Sequence, residues 1–288
     1  MQKLYIMQRK AKNNIMNAIT NHLIETAENH LAEFSNHNIL SKYWGELSVI
    51  LKGSTARGNT DQYSDLDFVL FCRETVKQQI VFDYKKEGLT EREDNIFFLI
   101  AKGHYNLETY ENLSEYYSGL NIPQAWEYSD VITMHDPDDT YKSIVKKGQA
   151  FVISKMYELV KDKYLKFQLI LDWLMHPLKR GDSVSVFLHC SDLLRNMCQM
   201  SYLLDDRCYP HDKWIYYYLP TTNFGKENHS LILDYMECIG KYSEITKGKD
   251  LHEYIQYEKA ANIISKTTDY IKNKYDNQNW LDEWWLYV

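Results

Sequence analysis

Two aspartates and a preceding glycine–serine turn form the part of the chain that is best equipped for chemistry. Gly53 and Ser54 follow one apolar run, and Asp65 and Asp67 stand at the start of the next. Residues two apart on a strand share a face, so both carboxylates are expected to point the same way. Carboxylate oxygens are the ligands that Mg²⁺ prefers. The spacing therefore predicts a magnesium site of the kind used in phosphoryl transfer.

The turn ahead of the aspartates has the features of an anion site. A glycine at position 53 allows a close approach of backbone to phosphate, and Ser54 offers a hydroxyl and an N–H. A helix that begins just after the turn would direct its positive end at the same anion. Gly53, Ser54 and Arg57 are the predicted phosphate ligands. An Asp-x-Asp pair alone is usually a solvated turn, but the complete order of strand, Gly-Ser turn, short helix, Asp-x-Asp and strand is far more specific.

The segment GSTARGNTDQYSDLDFVLF, residues 53–71, resembles the nucleotidyltransferase superfamily that includes DNA polymerase beta. Within it, the segment looks most like the antibiotic nucleotidyltransferases that act on aminoglycosides and lincosamides. In that family the Gly-Ser turn holds a nucleoside triphosphate, and three acidic residues hold two divalent ions. The resemblance implies transfer of a nucleoside monophosphate, AMP from ATP as the expected case, to a hydroxyl group of a small molecule with Mg²⁺ as cofactor.

The third acidic residue is predicted to be Glu108. Strand alternation over residues 105–110 would aim its carboxylate across at Asp65 and Asp67. In several relatives the third acid also acts as general base on the acceptor hydroxyl, so Glu108 is assigned both metal binding and catalysis. An exposed strand glutamate is the alternative interpretation. Three other acids, in a charged run typical of a solvated loop, compete for the role: Glu91, Glu93 and Asp94.

The surrounding pattern predicts an α+β fold, with a mixed β-sheet flanked by helices and then a C-terminal α-helical bundle. Apolar side chains at helical spacing occupy residues 13–34. Short apolar or alternating runs predict strands at residues 47–51, 66–72, 96–100 and 105–110. Helical periodicity dominates from about residue 140, in segments 143–174, 184–204 and 254–274, with Pro177 and Gly181 in the gap between two helices. The predicted domains are a catalytic domain, residues 1–140, and a helical acceptor-binding domain, residues 141–288.

The helical half contains two further candidates. Lys213, beside Trp214, is predicted to reach the triphosphate as helical-domain lysines do in some relatives, although a surface lysine next to a core tryptophan is about as good an interpretation. Asp182 precedes a long helix, and a helix N-cap explains an aspartate there better than a contact with the acceptor.

Composition limits the classes of function. The formal net charge of −7 makes nucleic acid an unlikely main ligand, because that affinity depends on clustered Lys and Arg. Five cysteines without a CxxC pair are expected to be reduced and structural. No apolar run approaches the roughly 20 residues of a membrane span. The N-terminus has no secretory leader pattern, so a cytoplasmic location is expected.

Two alternative functions remain open. The first keeps the chemistry but uses a protein or RNA acceptor, which the acidic charge and a helical domain of its own disfavour. The second is a catalytically inactive sensor that binds nucleotide. Intact Asp65 and Asp67 argue against a sensor, but a missing third carboxylate would revive it. The chain is expected to act as a monomer or a homodimer, and the pattern does not identify the acceptor.

Overall fold

The chain divides into two compact units. The computed structural model describes residues 18–91 and 96–288, so Glu93 and Asp94, and residues 13–17 of the predicted first helix, lie outside the described residues. The first unit ends at Phe151, and the second is Val152–Val288. This division falls inside the helix Thr140–Ser154, whereas the sequence placed the domain boundary at the start of that helix.

A five-stranded mixed sheet forms the first unit. Its strands are β1 (Ser48–Lys52), β2 (Leu66–Cys72), β3 (Phe97–Ile100), β4 (Gly103–Thr109) and β5 (Ile132–His135). Their order across the sheet is β3-β4-β2-β1-β5, with β2 and β4 parallel and the other neighbours antiparallel. A parallel pair needs a crossover connection, and a helix in the chain between β2 and β4 provides it.

Helices surround the sheet. In the first unit they are α1 (Ala18–Asn36), α2 (Gly53–Arg57), α3 (Glu74–Lys86), α4 (Tyr110–Ser118), α5 (Ile122–Ser129) and α6 (Thr140–Ser154), with a 3-10 helix at Leu40–Glu46. Apolar side chains of α1, α3 and the central strands form one buried cluster, which includes Ala27, Phe34, Leu51, Phe68 and Ile80. The continuous apolar pattern of β2 reflects its central place, because a strand covered on both faces has no reason to alternate.

The second unit is helical. It contains α7 (Met156–Arg180), α8 (Ser183–Leu203), α9 (Asp212–Ile215), α10 (Asn223–Glu227), α11 (His229–Gly240), α12 (Ile255–Tyr275) and α13 (Asn279–Asp282). Four 3-10 helices accompany them: Leu219–Thr221, Tyr242–Glu244, Leu251–Glu253 and Trp284–Leu286. Helices α7 and α8 pack together, and α12 packs against α7 and α11. The predicted α+β class, with a sheet followed by a helical bundle, is therefore confirmed.

Three details of the predicted elements were wrong. The single segment 143–174 is two helices, α6 and α7, separated at Lys155. Pro177 lies inside α7, and Gly181, with a φ of 70°, is the residue that ends it. Strand β5 was not predicted at all. In the described part of the chain, no helix has both the length and the apolar character needed to cross a membrane.

Candidate active site

Three neighbouring strands place three charged or polar side chains in one row. Lys52 at the end of β1 is in register with Asp67 on β2, and Asp67 is in register with His104 on β4. Directly opposed residues on adjacent strands project from the same face of a sheet. Lys52, Asp67 and His104 therefore lie side by side, with Asp67 in the centre.

Asp65 completes a cluster of possible metal ligands around this row. It precedes β2, and its Oδ2 lies 3.8 Å from Nδ1 of His104. The other ring nitrogen of His104, Nε2, lies 3.1 Å from Oδ1 of Asp67. One ligand atom from each of the three residues can be chosen so that all lie within 4.8 Å of one another. Two carboxylates and an imidazole at that spacing fit a divalent cation.

The Gly-Ser turn is packed directly against this cluster. Gly53 has a φ of 77°, and a Cβ at this position would overlap Oδ2 of Asp67. The hydroxyl of Thr55 donates a hydrogen bond to the carbonyl of Asp65, at 2.9 Å. Helix α2 is therefore attached to the strand that carries the aspartates, and the backbone of the predicted phosphate turn lies beside the predicted metal ligands.

Burial makes the charge on Asp67 costly. Desolvation raises the pKa of Asp67, and the nearby carboxylates of Asp65 and Glu127 raise it further, while Lys52 and His104 oppose the shift. Asp65 is more exposed, at 56% of its side chain against 24% for Asp67. A cation held between the two would favour the ionised form of Asp67, because a bound ion is often the largest charge in such a site.

A second charged group lies next to the row and was missed by the sequence reasoning. Glu127 on α5 is buried, with Oε1 at 3.5 Å from Nζ of Lys52 and Oε2 at 3.7 Å from Nη1 of Arg57. The Arg57 guanidinium also lies over the ring of Trp126, 4.7 Å from its centroid. Arg57, a predicted phosphate ligand, is thus held by an acid and an aromatic ring at the end of α2. In the sequence, Glu127 stands among the apolar residues of a helix. That pattern is compatible with burial but does not identify Lys52 and Arg57 as the groups it contacts.

Glu108 is not brought to the aspartates. Its partner in the parallel register is Phe71, four positions along both strands from the pair Asp67 and His104. At a rise of about 3.3 Å per residue, four positions amount to about 13 Å. The Glu108 carboxylate instead accepts hydrogen bonds at the start of α4, from Thr109 N at 2.9 Å and Asn112 Nδ2 at 2.7 Å. The expectation that Glu108 faces Asp65 and Asp67 is thereby corrected, and His104 occupies that place.

The remaining sequence candidates lie elsewhere. Glu91 is an exposed residue of a loop in the first unit. Asp182 caps α8, accepting a hydrogen bond from Ser185 N at 3.1 Å, so the preferred N-cap interpretation is confirmed. Hydrogen bonds from Ser185 lower the pKa of Asp182, as expected for a capping carboxylate. Lys213 belongs to the second unit, where it is exposed on α9 with its Nζ 6.0 Å from the ring centroid of Trp214.

A cleft opens beside Asp65. It has a volume of about 570 Å³ and lies between the first turns of α1 and the loop that leads into β2. Tyr63 and Ser64 from this loop line it, together with Lys102 from the turn before β4. Ligand pockets are commonly of this size. Asp65 thus faces both the cluster with Asp67 and a space that can hold a small molecule.

Comparisons with known proteins agree with the geometry at the level of the domain. Residues 37–117 match the model of the nucleotidyltransferase domain family, a stretch that contains the Gly-Ser turn, both aspartates and His104. No curated protein matches the chain. A nucleotidyltransferase-like protein from Exiguobacterium sibiricum has a related structure, at 10% identity and a TM-score of 0.46, covering 86% of this chain and 81% of its own. The match to the family model assigns residues 37–117 to a nucleotidyltransferase domain, and the enzyme class predicted from the sequence is confirmed.

Proposed function

We propose that the protein transfers a nucleoside monophosphate, AMP from ATP, to a hydroxyl group of a small molecule and releases pyrophosphate, with a divalent cation such as Mg²⁺ as cofactor. One observation carries the proposal: the backbone of Gly53 lies against the carboxylate of Asp67. Triphosphate and cation would then meet in one place. This juxtaposition is what nucleotidyl transfer needs, because its catalysis is mainly positioning and charge neutralisation.

The roles of the residues follow from their positions. Asp65 and Asp67 would hold the cation, which when bound supplies charge neutralisation for the phosphates and the departing pyrophosphate. Gly53 and Ser54 would contact the phosphates through backbone N–H groups and the serine hydroxyl. Lys52, in register with Asp67, and Arg57 add positive charge at the same edge of the sheet. Such fixed charges stabilise the negative charge that develops on transferring phosphoryl groups.

The acceptor is proposed by resemblance alone. Residues 53–71 resemble enzymes that modify aminoglycosides and lincosamides, so an antibiotic of either class is the acceptor to test first. Lys213 is retained as a proposed ligand of the triphosphate. Its ammonium is exposed and can pair with an anion, so we expect Lys213→Ala to weaken ATP binding.

One observation favours a second candidate, a nucleotide-binding sensor without catalysis. The cluster found among the described residues contains two carboxylates and a histidine, where the resemblance implies three carboxylates. A protonated imidazole between Asp65 and Asp67 would offset one of their two negative charges without any metal. The two candidates differ in their need for a cation, so they can be separated by experiment.

The test is thermal stabilisation by each nucleoside triphosphate, with and without a divalent cation. A ligand that binds only the native state raises the apparent stability with the logarithm of its concentration over Kd. We expect a cation-dependent rise in Tm with ATP that Asp65→Asn removes. Asp138→Asn, at an exposed position in the turn after β5, is the matched control and should keep the rise. A rise with ATP that needs no cation would favour the sensor, and no rise with any triphosphate would contradict both.

A further inference from the structure

The donor set of the cluster around Asp67 is mixed rather than all oxygen. Asp65 and Asp67 contribute carboxylates, and His104 contributes an imidazole whose two ring nitrogens lie 3.8 Å and 3.1 Å from them. The side chain of His104 is 22% exposed, nearly the same as Asp67. The imidazole is therefore part of the site and not a surface group that passes near it.

The position of His104 is fixed by the sheet and by an aromatic neighbour. Its backbone pairs with β2 on one side and with Leu99 of β3 on the other. The ring lies 4.6 Å from the ring of Phe97, with an angle of 31° between the planes. A ligand that is held in this way needs little rearrangement to bind an ion, which is the usual benefit of a supported site.

A histidine that contacts two carboxylates can coordinate a metal through one nitrogen while the other donates to a carboxylate. That arrangement fixes the ring tautomer and raises the basicity of the coordinating nitrogen. It needs a carboxylate near the ring nitrogen that does not bind the metal, and His104 has Asp67 3.1 Å from Nε2 and Asp65 3.8 Å from Nδ1. The same contacts would serve a doubly protonated ring, so the competing outcome is a metal-free ion pair.

The nature of the donors sets the choice of ion. Mg²⁺ is a hard cation that takes oxygen ligands and keeps several waters. Imidazole nitrogen suits first-row transition metals, whose affinities for nitrogen and oxygen sites rise from Mn²⁺ to Cu²⁺ and fall again at Zn²⁺. Among these ions, Mn²⁺ shares with Mg²⁺ an octahedral preference and an affinity for carboxylate and water oxygens. A mixed site beside a phosphate turn therefore favours an ion of the Mn²⁺ type.

We infer that the centre formed by Asp65, Asp67 and His104 selects Mn²⁺ over Mg²⁺, with His104 as the nitrogen ligand that causes the selection. This inference rests on the proposed function, because it concerns the cation of the same site. The inference goes beyond the proposed function by assigning His104 a direct role in the metal centre and by predicting which ion the protein prefers.

The experiment measures binding of the ions themselves. Mn²⁺ is titrated into the full chain with ATP present and, separately, into the same ATP without protein, and the free ion is followed by its electron paramagnetic resonance signal. The difference between the two titrations gives the ion bound through the protein, and Mg²⁺ is added to both as competitor. We expect Mn²⁺ to bind about tenfold or more tightly than Mg²⁺. In His104→Asp, which restores a third carboxylate, we expect this ratio to fall to near one through weaker Mn²⁺ and stronger Mg²⁺ binding. His252→Asp, an exposed position in the second unit, controls for the added charge.

A second variant guards against misfolding of the first. His104→Asn removes the imidazole without adding charge, and we expect it to lower Mn²⁺ affinity about tenfold while a melting curve confirms the fold. Equal affinity of the wild-type protein for both ions, or a ratio unchanged by either variant, would overturn the inference and leave the proposed function standing. Failure of wild-type protein and His104→Asp to bind either ion with ATP would instead refute the proposed function.

Discussion

Gly53 and Asp67 are so closely packed that no side chain fits between them. The position a Cβ would take at residue 53 overlaps Oδ2 of Asp67, and the backbone there has a φ of 77°. The close packing holds the proposed phosphate turn against Asp67, a proposed metal ligand. The backbone conformation lies in the left-handed region that glycine adopts without the steric cost carried by other residues. Gly53 therefore meets two requirements at once: the backbone conformation of the turn and the close approach of that turn to Asp67.

The first prediction is that Gly53→Ala will lose cation-dependent binding of ATP. The new methyl group must displace the Asp67 carboxylate or the turn, and either movement separates the phosphate site from the metal site. Gly88→Ala is the matched control, because Gly88 has a φ of 70° with nothing within 4 Å of an added Cβ. Both variants should lose about 1–2 kcal/mol of stability from backbone strain. Only Gly53→Ala should lose the ATP-dependent rise in Tm, and equal behaviour of the two would contradict the argument.

The second prediction is that Glu108→Gln will keep cation-dependent ATP binding. Its Oε1 accepts from Thr109 N and Asn112 Nδ2 at the start of α4, and a glutamine oxygen can accept both bonds. Loss of a negative charge near a helix N-terminus should cost about 0.5 kcal/mol of stability. Titration of ATP into the variant with Mn²⁺ or Mg²⁺ checks this. Loss of binding in a folded Glu108→Gln protein would return Glu108 to the site, as the sequence resemblance implied.

The error over Glu108 shows which part of a site a sequence can specify. Alternation along β4 correctly puts residue 108 on the face that carries Asp67, but His104 is on that face too. Choosing between them requires the register of β2 against β4, and a parallel register is set by the crossover and the packing rather than by a tight turn. The Asp-x-Asp pair and the Gly-Ser turn needed no such information, because each is local in sequence.

The same distinction explains the fold. Strand β2 was predicted with its observed bounds because all of its residues except Asp67 are apolar. Strand β5 has only four residues, and the alternation of two apolar with two polar residues is too short to distinguish a strand from a loop. Pro177 was expected to break a helix, yet α7 continues through it for three more residues to Arg180, and Gly181 supplies the left-handed residue at its end. Local sequence patterns predict most of the helices and strands, whereas tertiary packing determines the residues at which they begin and end.

A buried charge cluster leads to the third prediction. Glu127 is 6% exposed and lies between Lys52 and Arg57, whose guanidinium side chain is 2% exposed. Removing one partner of a buried ion pair leaves an uncompensated charge in a poorly solvated place. Glu127→Gln keeps the shape of the side chain and removes its charge, so we expect it to lower the free energy of unfolding by about 3 kcal/mol.

Urea denaturation measures this change, with Glu111→Gln as the control. Glu111 is an exposed glutamate in the first turn of α4, and a surface substitution of this kind should stay within about 0.5 kcal/mol of wild type. Equal stability of Glu127→Gln and the control would mean that Lys52 and Arg57 do not depend on Glu127. The positioning of Arg57 at the phosphate turn would then need another cause.

The fourth prediction concerns Lys163, a half-buried lysine of the second unit. Its Nζ donates to Asn196 Oδ1 at 3.1 Å and to Gln199 Oε1, both on α8, and lies 5.4 Å from the ring centroid of Tyr209. Burial, together with the nearby charge of Lys166, lowers the pKa of Lys163 to about 8, and Asp192 opposes the shift. The ammonium is therefore less favourable in the folded protein than in the unfolded chain.

The lowered pKa of Lys163 makes the stability of the folded protein depend on pH. Between the folded pKa of about 8 and the unfolded value of 10.5, the unfolded chain binds more protons at Lys163, so stability rises with pH. Below about pH 8 both states are protonated and the full penalty applies. Stability of wild-type protein should thus increase relative to Lys163→Met as pH rises from 7.5 to 10. Lys179→Met, at an exposed position near the end of the same helix, should show no such trend. The test is to measure the unfolding free energy of the three proteins at several pH values. If the free energies of wild type and Lys163→Met change with pH in parallel, the lowered pKa of Lys163 is refuted.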